Sequence, residues 1–183
     1  MAIDRDALLR SADKLLRQGK LEQAIAEYRR LVESQPRDWT TANVLGDLYL
    51  QTRQVDKAVE VFARVAHQMG LEGFWSKAGA LYKKILKIRP QDEYVLLQAA
   101  EMAAYQELLV DAREYLSTVR ELRRSRGDAA GVAAITIRLA SLDPLDFEMR
   151  WAGIRAQIEI GDMVTAVGGL KKLAGDLTDI GRR

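Results

Sequence analysis

The single histidine of the sequence, His67, stands beside Phe62, Val65, Ala66 and Met69. One imidazole excludes both a two-histidine metal site and a relay of histidines. At helical spacing, position 67 falls one place off that apolar stripe, which describes a partly exposed helical side chain. There is no cysteine, so disulfides and thiolate metal sites are excluded as well. Carboxylates are plentiful, but their spacing suits i,i+4 pairing with Lys or Arg on helix surfaces, not a paired-carboxylate active site. The stretch "AVGGLKK" at 166–172 places two glycines before lysines. It lacks the preceding strand, the loop length and the Lys-Ser/Thr of a phosphate cradle. No catalytic residue, metal site or cofactor is expected, and the chain reads as non-enzymatic.

Two basic clusters remain. Lys77, Lys83, Lys84, Lys87 and Arg89 form one, and Arg120, Arg123, Arg124 and Arg126 the other. Both fall near the C-terminal ends of expected helices, where the macrodipole favours positive charge. Acidic residues between them interrupt any continuous phosphate track, so RNA or another anionic partner is the weaker reading. Basic residues number 28 and acidic residues 26 among 183, so bulk charge selects no nucleic acid and no anionic membrane. Asp4, Arg5 and Asp6 occupy the place where a signal peptide needs an apolar core. No apolar run reaches the length of a membrane span. The expected location is cytoplasmic, with no membrane insertion.

These side chains are carried on helices. Apolar residues recur at i, i+3, i+4 and i+7 almost throughout, as in Leu21, Ala24, Ile25, Tyr28, Leu31 and Val32. The period and the breakers predict ten helices, near 4–18, 21–35, 38–52, 55–69, 74–88, 92–106, 109–126, 129–142, 146–160 and 162–177. The only three prolines, Pro36, Pro90 and Pro144, recur at i, i+54 and i+108, and each begins a Pro-x-Asp triplet. Proline disfavours helical geometry in the residue before it, and the aspartate two places later can cap the next helix. Gly19, Gly73 and Gly127 share that spacing and mark helix ends. So do Ala58, Ala112 and Ala166 in mid-helix. Such self-similarity is the mark of a repeat array.

A second spacing runs inside the first: Ala24 and Ala58, and likewise Ala78 and Ala112, stand at i and i+34. In the unit from residue 39 to 72, Leu45, Gly46, Tyr49, Ala58 and Phe62 resemble the leucine-glycine, tyrosine, alanine and phenylalanine positions of the tetratricopeptide repeat family. "LEGFWSKAGALYKKILKIRPQD" also looks like a block of large bacterial proteins of that family, in which a third helix follows the usual pair. The resemblance covers nearly the whole chain and weakens toward its end. It implies an all-α fold, a right-handed α-solenoid of about ten antiparallel helices with a three-helix, 54-residue unit. The units fall at approximately 1–38, 39–92, 93–146 and 147–183 of a single repeat domain.

The resemblance also implies a binding face, the outward positions on the first helix of each pair. By register these are Thr40, Asn43, Asp47 and Leu50, then Tyr94, Leu97, Glu101 and Ala104, then Glu148, Trp151, Arg155 and Ile158. Leu50, Leu97, Trp151 and Ile158 are apolar where solvated residues would suffice, and Trp and Arg are favoured interface anchors. Burial of these side chains as core is the competing reading. Leu9 and Asp13 occupy the slots at which chaperone-binding relatives clamp a terminal carboxylate, and that Lys/Asn pattern is absent. Trp39 is expected to staple neighbouring units, and one of Phe74 and Trp75 to be buried. "LTDIGRR" at the end supplies no polar capping helix, which suits a fragment of a longer array or an end covered by a partner. The expected function is a scaffold or adaptor holding a protein or peptide. The alternative is a self-associating, homo-oligomeric module.

Overall fold

The computed structural model describes residues 5–181 as ten α-helices with no strand among them. They are α1 (Arg5–Arg17), α2 (Leu21–Ser34), α3 (Trp39–Gln51), α4 (Val55–Leu71), α5 (Trp75–Leu86), α6 (Glu93–Tyr105), α7 (Leu109–Ser125), α8 (Ala129–Leu142), α9 (Phe147–Glu159) and α10 (Met163–Gly181). Every helix expected from the period is present. Only α10 departs noticeably from its expected bounds, because nothing between Leu177 and Gly181 breaks a helix. Asp4, in the first expected helix, and the final Arg182–Arg183 lie outside the described residues.

The Pro-x-Asp triplet works as a stop followed by a start. Asp38 accepts from the Thr41 N–H at 3.1 Å, Asp92 from Val95 at 3.1 Å and Asp146 from Met149 at 2.9 Å, opening α3, α6 and α9. Two of the three caps gain a cation: Arg5 Nη2 donates to Asp38 Oδ2 at 2.7 Å, and Arg113 Nη1 to Asp146 Oδ2 at 2.8 Å. At the middle joint the charge moves one residue on, where Glu93 accepts from Arg123 of α7 and from Arg126 just past its end. Burial works against the Asp38 carboxylate, but hydrogen bonds from Arg5 and Thr41 outweigh it and hold its pKa below the usual range. Glu93 is lowered in the same way, against burial, by Arg123 and Arg126. Asp146 is lowered by the Met149 N–H and by Arg113.

Because all three are more acidic folded than unfolded, their stabilisation is present above the unfolded carboxylate range, near pH 4, and is lost as pH falls below it. The triple variant Asp38→Asn, Glu93→Gln, Asp146→Asn is therefore expected to melt below the wild type at neutral pH. At strongly acidic pH the two melting temperatures converge. Thermal unfolding followed by circular dichroism at both pH values checks this.

Helix ends carry a second, independent record of the repeat. Left-handed residues occur at Gly19, Arg53, Gly73, Glu107, Gly127 and Gly161, so a long step and a short step alternate along the chain. Each closes its helix with the same two bonds. At the first, Lys20 N donates to Leu15 O at 3.0 Å and Gly19 N to Leu16 O at 2.9 Å. At the second, Gln54 N donates to Tyr49 O at 2.8 Å and Arg53 N to Leu50 O at 3.0 Å. Arg53 and Glu107 hold φ of 59° and 58° with a side chain present, a conformation that costs roughly 1–2 kcal/mol outside glycine. Arg53→Gly is expected to raise stability by about 0.5–1 kcal/mol after the extra freedom it gives the unfolded chain. A raised urea midpoint is the readout.

The helices divide into two compact units, α1–α5 up to Ile88 and α6–α10 from Arg89. In the first, α2 packs on α1, α3 on α2, α4 on α3 and α5 on α4. Its core is the expected stripe: Ala24, Ile25, Tyr28, Leu31 and Val32 of α2, Leu45 and Tyr49 of α3, Ala58, Phe62 and Ala66 of α4, and Ala78, Tyr82 and Ile85 of α5. Gly46 lies against the Phe62 ring, and a Cβ there would overlap it. The second unit stacks α6 to α10 in the same sequential way, around Leu96, Ala100, Ala112, Leu116, Ile135, Leu139 and Ile154. Neighbour-on-neighbour packing of this kind gives each helix only local partners, as in repeat proteins.

Two expectations for the aromatic residues need adjustment. Neither Phe74 nor Trp75 is buried: they are 42% and 38% exposed. Both precede or open α5, before its inward face begins at Ala78. Phe74 instead packs edge-on against Trp39, with ring centroids 5.2 Å apart, and carries the Lys77 ammonium 5.1 Å from its ring centroid. Trp39 thus ties the start of α3 to the start of α5, inside the first unit.

Candidate partner-binding site

In the first unit, the two polar candidates on α3 already have a partner in the fold. Lys84 of α5 brings its Nζ to 2.6 Å from Asp47 Oδ1 and 3.3 Å from Asn43 Oδ1. The same ammonium lies 4.2 Å from the centroid of the buried Phe62 ring. The cation is held by charge from one helix and by an aromatic face from another. Leu50 is half-buried at the end of α3.

In the second unit, Tyr94 is 53% exposed at the start of α6, whereas Leu97 and Glu101 are half-buried. The Tyr105 hydroxyl donates to Glu101 at 3.4 Å. Trp151, Arg155 and Ile158 lie on α9 at i, i+4 and i+7, with Trp151 47% and Ile158 39% exposed and Arg155 also exposed. Trp151 is the candidate that the fold places in a concavity. Phe147, Glu148 and Trp151 of α9 form one wall of an open groove of about 400 Å³, and Leu170, Leu173, Ala174 and Leu177 of α10 form the other. Almost all of its surface is hydrocarbon.

The floor of this groove is fixed by packing. Phe147 and Leu170 rest on the core formed by Ile154, Ala166 and Leu173. Arg150 lies over the Phe147 ring at 5.4 Å, pairs with Asp176 at 2.7 Å and donates to the Pro144 carbonyl at 3.0 Å. Gly169 permits the close approach of α10 to α9, since a Cβ there would stand 3.0 Å from Ile154 Cγ1. Of the Gly-Gly in "AVGGLKK", Gly169 is thus a helix contact and Gly168 faces open space, and α10 continues through both without a break. The α10 wall escaped the sequence reading. Its signal was the i, i+3, i+4, i+7 set Leu170, Leu173, Ala174 and Leu177, facing Phe147 and Trp151 at i and i+4.

The remaining chemistry-bearing residues are engaged or solvated. Arg123 and Arg126 are bound by Glu93, and Arg124 by Glu121. His67 is exposed on α4. Asp13, at the carboxylate-clamp slot, accepts from the buried Tyr28 hydroxyl at 2.8 Å. Burial, with that hydrogen bond and the nearby charge, pushes the Tyr28 phenol up to about 12. Among the described residues no cluster of His, Cys, Asp and Glu could hold a metal ion. No described helix is long and apolar enough to cross a membrane.

The tetratricopeptide repeat family model matches residues 9–69, from within α1 to near the end of α4. Residues 9–69 are thus similar to tetratricopeptide repeats. Tetratricopeptide repeats generally mediate protein–protein interaction, and the family is typically non-enzymatic. Among solved structures, a tetratricopeptide repeat protein from Parabacteroides merdae is 14% identical, with 93% of this chain and 79% of that one covered and a TM-score of 0.33. MamA from Desulfovibrio magneticus is 13% identical over 96% of each chain, with a TM-score of 0.33. PilF of Pseudomonas aeruginosa is 16% identical, with 92% of this chain and 90% of that one covered and a TM-score of 0.34. These likenesses are too loose to carry a function. No curated protein sequence matches the chain.

Proposed function

We propose that this tetratricopeptide repeat chain is a non-enzymatic adaptor of the bacterial cytoplasm that holds a protein partner in the α9–α10 groove. The observation that supports it most is the exposed Trp151 at the edge of an apolar groove whose floor is rigidly packed. Hydrocarbon left open around a large aromatic residue is the usual chemistry of a partner site. Units joined at the Pro-x-Asp triplets, ending near residues 38, 92 and 146 and with three helices in each of the latter two, form the scaffold that presents it. Pairing of the arginines near the end of α7 with Glu93 and Glu121 weighs against a nucleic-acid role.

A photo-crosslinking residue at position 177, on the groove wall, is expected to capture one discrete protein in cells of the source organism. The same residue at position 110, 81% exposed at the start of α7, is expected not to capture it. Equal capture from both positions would remove the groove from the account.

A further inference from the structure

The repeat itself indicates what kind of element covers this groove. Moved along the chain by two repeats, α3 and α4 become α9 and α10. Val59 and Met69 of α4 become Val167 and Leu177 of α10, apolar in both places. Yet Val59 and Met69 are 7% and 8% exposed, whereas Val167 and Leu177 are each 49% exposed. In the first unit α5 packs on α4, with Ala78, Tyr82 and Ile85 completely buried, and reaches α3 through Lys84. In the second unit α8, one repeat on from α5, packs on α7. No described helix stands in that place on α10.

The charge at one position narrows the chemistry of a helix that would fit there. In the first groove Asp47 of α3 meets Lys84 of α5 at 2.6 Å. By register the second groove has the same signs at these two positions, Glu101 on α6 and Arg138 on α8. At the third the sign reverses, because the residue equivalent to Asp47 is Arg155, which is exposed. Among the described residues, no carboxylate is paired with it.

Resting on the adaptor reading above, we propose that the α9–α10 groove takes one amphipathic helix of a partner protein, docked as α5 docks on α3 and α4, with an acidic side chain facing Arg155. Counted from the small residue at the crossing, here Ala78, that helix carries apolar residues at i+4 and i+7 and the acid at i+6. Helix-in-groove binding uses such anchors, and the opposite charge sets register and rejects a basic helix.

The test uses the full chain and two helix-stapled peptides of residues 74–88, linked across the exposed positions 76 and 80. One has the native sequence and the other carries Lys84→Glu. The Lys84→Glu peptide is expected to bind the wild-type chain about tenfold more tightly than the native peptide, the difference between an attractive and a repulsive pair. On Arg155→Glu the order inverts, and on Trp151→Asp both peptides are lost while circular dichroism is unchanged. If Trp151→Asp abolishes binding but Arg155→Glu leaves the order as it was, the acidic specification is wrong and the groove stands. If both peptides bind Trp151→Asp undiminished, they dock elsewhere and the helix proposal is overturned. Binding by neither peptide also overturns it, and leaves the adaptor reading to the crosslinking result. A chain that sediments as a dimer, and as a monomer once Trp151 is Asp, assigns the groove to a second copy and overturns the partner helix.

Discussion

Gly46→Ala is expected to destabilise the chain by about 2 kcal/mol, although the substitution improves helix propensity. The added Cβ overlaps the Phe62 ring, which is completely buried. The repeat shows how the same crossing accepts a Cβ. One repeat on, the pair is Ala100 with Leu116, both 2% exposed, and after another repeat it is Ile154 with Leu170. Volume is traded across the crossing, glycine against phenylalanine and alanine against leucine. Phe62→Leu alone leaves a gap and costs about 1 kcal/mol. The double variant Gly46→Ala, Phe62→Leu should cost at least about 1 kcal/mol less than the sum of the single changes, because the two sites are in contact. Urea unfolding of the four proteins measures that coupling. Strict additivity would mean that Gly46 and Phe62 do not share a crossing.

That crossing illustrates how much of the structure is legible in the sequence. Helix positions follow from the helical period of the apolar residues and from breakers with a local mechanism. The bond from the Thr41 N–H to Asp38 forms within one turn, so Pro36-x-Asp38 suffices to place it. Left-handed closure at Gly19, Gly73 and Gly127 is equally local. At Arg53 and Glu107 the same backbone state carries ordinary side chains. Residue type therefore gives no warning there, and only the i+34 register from Gly19 and Gly73 would.

Contacts between helices are harder to read, since the period says which face is apolar but not which neighbour meets it. Asn43 and Asp47 were candidates for a partner, yet Lys84 reaches both from α5, two helices further along the chain. Trp151 could be named from its register and its type. Its opposite wall on α10 could not, because the sequence does not say that Leu170 and Leu177 face Phe147 across a groove.

Trp151→Ala carries the second large effect. Replacement of a half-exposed tryptophan should leave helicity and melting temperature nearly unchanged, since about half of its surface makes no contact within the fold. If the groove is the site, the same change removes an aromatic anchor, worth at least about 2 kcal/mol in a typical interface. That corresponds to a loss of roughly thirtyfold in affinity. By contrast, Tyr94→Ala, although 53% exposed, lies on α6 outside the groove and should alter affinity by less than about twofold. The direct measurement is calorimetric titration of the partner captured from position 177 against the wild-type chain and Trp151→Ala. A Kd weakened about thirtyfold, with circular dichroism and melting unchanged, is the predicted result. Equal affinity for the two proteins would contradict the α9–α10 groove as the binding site.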